Sequence, residues 1–189
     1  MKSNATTVKD YLASLPEDRR AAVSTVREFL LDNLDTDFQE CMQYGVIGYC
    51  VPHSIWPHGT RTNPKLPLMY MGLSSQKNDM VVYMLFLYEN ERERAWFDKA
   101  WTATGKKLHL EVAGMACCLR FKKVEDLSLN VIAESMRRMP VKKYLEDHTA
   151  MLARMGKGPD GKKLKGEKNA AKKTVKKTAK KVAKKKAKR

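Results

Sequence analysis

The chain has 189 residues, with 37 Lys and Arg against 21 Asp and Glu, for a net charge of +16. That length holds one domain, or one domain with an appendage, and the charge selects the second: from Lys157 onward lie 16 of the basic residues but only 2 acids, Asp160 and Glu167. The first 156 residues are therefore close to neutral, and no apolar run among them approaches the roughly 20 residues that cross a bilayer.

Such a body buries a substantial core without disulfides or metals. Cys41, Cys50, Cys117 and Cys118 form no CxxC pair, and the start of the chain has neither a basic lead nor an apolar stretch. Reduced thiols in the cytoplasm are the expectation.

In chain order, Val8, Tyr11 and Leu12 recur at helical spacing and predict a short helix ending near Ser14. Ser14 and Glu17 stand at capping-box spacing with Pro16 between, predicting a second helix. Its apolar face is Val23, Val26, Phe29, Leu30 and Leu34, and its charged face, Glu17 to Arg20 with Arg27, Glu28 and Asp32, belongs to solvent. From Gln39 the period changes. CMQYG and VIGYCV read as short strands, a proline-bearing loop follows, and Leu68–Leu73 reads as a strand. The continuous apolar run Met80–Leu87 has strand length and suits burial on both faces. Asn90 and Glu93 are again at cap spacing, ahead of a helix with Trp96, Phe97, Ala100 and Trp101 on one face and Gly105 at its end. A strand at Ala116–Phe121 and two helices, one through Leu129, Ile132, Met136 and Met139 and one after Pro140, complete the body. The order predicts an α+β domain over residues 1–155: an antiparallel sheet of about five strands, with helices from both ends of the chain on one face.

Residues 156–167, rich in Gly and Lys, read as a linker to residues 168–189, where Lys pairs repeat every four residues. This segment has no aromatic, no acid and no apolar face to offset the entropy of ordering, so it is expected to be disordered alone. Its cations are Lys168, Lys172, Lys173, Lys176, Lys177, Lys180, Lys181, Lys184, Lys185, Lys186, Lys188 and Arg189. They suit the phosphates of DNA or RNA, with counterion release as the driving force and no apparatus for reading bases. The segment is similar to the Lys- and Ala-rich tails of linker histones and bacterial histone-like proteins. Ala and Lys favour partial helix on binding.

The stretches ECMQYGVIGY at Glu40–Tyr49, VPHSIWPHG, SSQKN at Ser74–Asn78, GKKL at Gly105–Leu108 and CLRFKK at Cys118–Lys123 together resemble the YdhG-like family. This is a domain family of unknown function, sometimes described as frataxin-like or as an intracellular iron chaperone. The resemblance runs from about Val8 to Met155 and implies the same α+β fold. It carries no catalytic motif, so no catalytic residue is assigned. The family pattern places a Pro near Ile47, where this chain has Ile47-Gly48.

An iron chaperone would use exposed carboxylates as hard ligands, and Asp10, Glu17, Asp18, Asp32, Asp35 and Asp37 are the candidates, interleaved with arginines. Cys50, His53 and His58 lack the fourth ligand of a structural zinc site and read as loop residues. Neighbours in a strand, Cys117 and Cys118 point to opposite faces. His148 falls on the apolar stripe of the last helix, where a satisfied core histidine is expected. Tyr44, Tyr49 and Tyr70, with His53, are the candidate pocket, weighed against half-buried sheet residues. No phosphate loop or dinucleotide-binding glycine pattern is present.

Two functions are expected from these features. The first is a non-enzymatic protein held on nucleic acid by its tail, at the nucleoid in the cytoplasm or in the nucleus of a eukaryotic host. The second is a ligand-handling or iron-chaperone-like domain whose tail is a localisation or solubility device.

Overall fold

In the computed structural model, residues 3–164 are described. Thr7 Oγ1 caps the first helix, α1 (Val8–Ala13), by accepting from the Asp10 amide. Helix α2 spans Glu17–Asn33. Pro16 rather than Ser14 stands at its cap position, and no side chain caps it. Ser14 Oγ instead donates to the Tyr11 carbonyl and closes α1. Arg20 fastens the α1–α2 corner by donating to the carbonyls of Leu12, Ala13 and Leu15.

The sheet has six strands, all antiparallel, in the order β1-β2-β3-β4-β6-β5. They are β1 (Gln39–Gln43), β2 (Val46–Val51), β3 (Leu68–Ser75), β4 (Met80–Met84), β5 (Leu110–Ala113) and β6 (Ala116–Phe121). Helices α3 (Leu85–Glu89) and α4 (Glu91–Thr102) lie between β4 and β5, and α5 (Leu129–Arg137) and α6 (Val141–Arg154) end the body. The α+β class and the antiparallel sheet are as expected from the sequence. β5 is an additional strand.

Alternation along the strands divides the sheet into two faces. Ile47, Leu73, Val82 and Leu119 form one cross-strand row, and they pack with Val23, Val26, Leu30, Phe97, Trp101 and Ile132 of the helices in the core. Tyr70 belongs to this core, stacked between Phe38 at 4.2 Å and Phe86 at 4.7 Å. The opposite row reads Cys41, Gly48, Gly72, Tyr83, Cys118 and Glu111 across the six strands. It is poor in bulky side chains near its β1 end, and this opens space against the sheet.

The apolar run from Met80 does not stay extended to Leu87: the strand ends at Met84 and Leu85–Glu89 is helical. Periodicity cannot distinguish the two states in so short an apolar run. Met71 is the last β3 residue paired with β4, so Leu68–Tyr70 lie beyond the end of β4. There Tyr144 of α6 reaches the sheet, its hydroxyl donating to the Met69 carbonyl at 2.7 Å.

The start of the expected linker is folded. Gly156–Leu164 turns back on itself, with a Lys157–Lys163 bridge, Leu164 N donating to Gly156 O and Lys157 N donating to Leu152 O at the end of α6. The expected disordered tail, with Lys168 to Arg189, lies outside the described residues.

Candidate functional site: a cavity over the open face of the sheet

The strand-to-helix switch at Leu85 and the cross-over of α6 leave a cavity of about 390 Å³ between the open sheet face, α3, α6 and the loop of residues 52–67. Val46, Met69, Tyr83 and Ala116 are its sheet wall, and Leu68, Leu85 and Met115 extend the apolar lining. Two glycines make room for this wall. A Cβ on Gly48 would sit 3.0 Å from Met69 Cε, and one on Gly72 would sit 3.3 Å from Tyr83 Cδ2 and 3.5 Å from Val46 Cγ2.

Two helices contribute the deep polar groups. Leu85 and Glu89 are four apart on α3, as are Tyr144 and His148 on α6, so each pair projects to one side of its helix. Glu89 and His148 meet at the cavity, with Glu89 Oε1 2.9 Å from His148 Nδ1. The edge of the Trp56 ring lies against the imidazole, centroids 5.8 Å apart. The second carboxylate oxygen, Glu89 Oε2, is buried and has no hydrogen-bond partner. Burial raises the Glu89 carboxyl above its ordinary value, and the hydrogen bond and charge of His148 oppose part of that rise. A cavity wall thus carries a carboxyl group with one acceptor unused, which suits a hydroxyl or amine donor on a ligand.

The rim comes from the 52–67 loop and the β1–β2 turn. Thr60 N donates to Leu66 O, Trp56 Nε1 donates to Gly59 O, and His53 Nε2 lies 2.9 Å from the Pro64 carbonyl, so the loop is fixed by its own polar groups. Gly59 has φ +59, and a Cβ there would overlap the Pro64 carbonyl oxygen. This loop presents Thr60, Arg61 and Thr62 to the cavity. The Tyr44 hydroxyl closes the rim at 3.4 Å from both Thr60 Oγ1 and Thr62 Oγ1.

Arg61 is the cation of the rim. Its guanidinium donates to the sulfurs of Met115, at 3.1 Å, and Met155, at 3.7 Å, and makes no ion pair with a carboxylate among the described residues. Charged arginines are usually paired or solvated; one lying on thioethers at the edge of an apolar cavity is suited to an anion. The turn at Gly161 packs on the same side chain, where a Cβ would sit 2.9 Å from Arg61 Cγ. The Gly156–Leu164 turn therefore lies beside the cavity rim.

Of the four residues expected to form a pocket, only Tyr44 lines the cavity. Tyr49 and Tyr70 are 0% and 1% exposed in the helix-side core, and His53 is engaged within the loop. The reason is local: Tyr49 alternates with Ile47 on the core face, and a bulge beside Tyr49 and Cys50 sets Tyr70 on that face as well. His148 is satisfied, as expected, but by Glu89, which the sequence did not single out. Arg61 was also missed; its signal was an Arg in a threonine-flanked, proline-bounded loop with no nearby acid.

Cys117 joins the core while Cys118 pairs with Tyr83 on the open face. No group of three or more His, Cys, Asp or Glu close enough to hold a metal occurs among the described residues, so neither Cys50, His53 and His58 nor the acids of α1 and α2 come together in that way. No helix among the described residues is long and apolar enough to cross a membrane. Comparison with protein-family models, with curated proteins and with solved structures finds no match for this chain.

Proposed function

We propose that the folded body is a small-molecule binding domain whose ligand is an amphipathic anion: an apolar or aromatic frame with an acid group at Arg61 and a hydrogen-bond donor toward Glu89. The observation that carries this reading is the pairing, across one apolar cavity, of an arginine without a carboxylate partner and a buried carboxyl oxygen without a donor. Ligand pockets have this composition, mostly apolar with a few placed polar groups. At this cavity the reading is of ligand binding. His148 engages one oxygen of Glu89 and leaves the other for a ligand donor. Titration of the full chain with anilinonaphthalene sulfonate, an apolar anion that fluoresces on leaving water, tests it. Saturable binding that Arg61→Ala weakens supports the reading, and equal binding by both proteins opposes it.

A second reading concerns the basic segment and rests on the charge distribution. With 16 cations against 2 acids from Lys157 onward, we propose that residues 168–189 hold the body on DNA or RNA without regard to sequence. The two readings are compatible in one protein: a ligand-binding body delivered to a phosphate polymer. The iron-chaperone-like alternative carried by the family resemblance would draw on the acids of α1 and α2, which are exposed.

A further inference from the structure

On the open face of the sheet, beside the cavity, two cysteines of adjacent strands meet. Cys41 of β1 lies opposite Gly48, and Cys50 of β2 is two residues further on the same face. Their sulfurs are 3.0 Å apart. Gly48 makes the approach feasible, since a Cβ there would crowd both sulfurs at 3.3 Å. The two differ in access: Cys41 is on the edge strand and partly exposed, while Cys50 is fully buried.

A third side chain completes the group. Gln43 is 3% exposed, and its Oε1 lies 3.4 Å from Cys50 Sγ and 3.8 Å from Cys41 Sγ. Its amide nitrogen is buried with no hydrogen-bond partner. The part of the amide that faces the two thiols is its carbonyl oxygen, which can accept from an S–H or from the O–H of a sulfenic acid.

We infer that Cys41 and Cys50 are a redox-active dithiol that reduces a small hydroperoxide, with Cys41 as the attacking thiol, Cys50 as the resolving thiol and the Gln43 carbonyl as the acceptor for the sulfenic O–H. In the first step the Cys41 thiolate attacks the terminal peroxide oxygen. The O–O bond breaks, an alcohol or water leaves with the proton released by the thiol, and Cys41 becomes a sulfenic acid. In the second step the Cys50 sulfur attacks the Cys41 sulfur, the S–O bond breaks, and water leaves with the Cys50 proton. Two thiols and one hydroperoxide thus become one disulfide, one alcohol and one water. The sulfurs need to close by only about 1 Å to reach the ~2.05 Å of a disulfide.

The proton arrangement agrees with this division of roles. A hydrogen bond from Cys50 stabilises the Cys41 thiolate and holds Cys41 below the usual thiol range, whereas Cys50 is pushed up by that same bond and by burial. Cys117 and Cys118 are both raised, chiefly by burial, and as neighbours in β6 they point to opposite faces of the sheet.

The test exposes the reduced full-length chain to hydrogen peroxide and follows free thiols, intact mass and the disulfide map. The expected result is rapid loss of two of the four thiols with a bridge between Cys41 and Cys50. Cys50→Ser is expected to keep Cys41 as a sulfenic acid that dimedone captures, Cys41→Ser to lose the rapid phase, and Gln43→Leu to slow it. Because Cys50 is buried, its serine variant is checked by near-ultraviolet circular dichroism, and Cys41→Ser alone, at a partly exposed position, decides the matter should that variant unfold. A wild-type chain that forms no such bridge, oxidises Cys117 or Cys118 first, or carries Cys41 to the sulfinic acid with Cys50 still reduced overturns the inference.

Discussion

His148 Nδ1 and Glu89 Oε1 share one hydrogen bond of 2.9 Å at the inner end of the cavity, and both side chains are more than nine-tenths enclosed. Their meeting depends on the chain leaving the sheet at Met84, because only the helical turn Leu85–Glu89 sets the carboxyl against α6. The Glu89 carboxyl there gives the fold a pH dependence of known sign. Burial raises the folded-state value of Glu89 above the ordinary 4.5. Between 4.5 and that raised value, the native protein keeps a proton that the unfolded chain has released. The contribution is complete below 4.5 and declines as pH rises through the folded-state value. Urea midpoints measured from acid to neutral pH should therefore fall across this window, and Glu89→Gln should flatten the slope.

Removing the partner altogether has a different signature. Glu89→Leu leaves the His148 ring without its hydrogen-bond partner in a buried place, which costs about 1–3 kcal/mol. Chemical denaturation of the two Glu89 variants side by side separates the missing hydrogen bond from the missing titration.

Tyr44 stands at φ +56 and Gly45 at φ +78, so the β1–β2 hairpin turns through two left-handed residues. Tyrosine tolerates that region poorly, at a cost of about 1–2 kcal/mol, whereas Asn and Gly enter it readily. Tyr44→Asn is expected to raise stability by up to ~1 kcal/mol. It should weaken ligand binding, because the ring and hydroxyl that meet Thr60 and Thr62 at the rim are gone. Opposite signs for a melting curve and a binding isotherm from one variant are the check.

Gly59 holds the rim loop at φ +59, and its missing side chain leaves room for the Pro64 and Leu66 carbonyls. Gly59→Ala is expected to cost about 1–3 kcal/mol and to increase proteolysis within residues 52–67. Limited digestion with mapped cleavage sites measures this directly.

Much of the fold was legible, because long amphipathic patterns report burial. The Asn90 cap and most of the apolar faces of α2, α5 and α6 stand where the periodicity put them, although Leu34 and Met139 fall just past the ends of α2 and α5, and Met155 past α6 is exposed; Asn90 Oδ1 does accept from Arg92 N and Glu93 N. β5 was not legible: Leu110–Ala113 is a largely exposed edge strand of four residues, whose alternation is too short to register. The Ser14 capping box failed because the hydroxyl turns back to Tyr11. Pocket residues were harder still. Which tyrosine faces outward depends on a bulge at Tyr49/Cys50, and Glu89, Arg61 and His148 meet only through tertiary packing.

The basic segment yields a separate expectation. A chain ending at Leu164 keeps the Gly156–Leu164 turn on α6 and Arg61 but lacks the Lys repeat. In mobility-shift titrations the full chain should bind duplex DNA with log affinity falling linearly in log salt, at a slope of about −0.9 per phosphate neutralised. The shortened chain should bind far more weakly, without preference between sequences in either case.

Competition at the cavity tests the ligand reading most directly. Calorimetric titration of the full chain with octanoate, repeated against bound anilinonaphthalene sulfonate, should show one saturable site per chain and mutual displacement, weakened by Arg61→Ala and abolished by Ala116→Trp, which fills the space beside Met69 and Tyr83. Binding of the probe that survives both substitutions unchanged would contradict a site in this cavity.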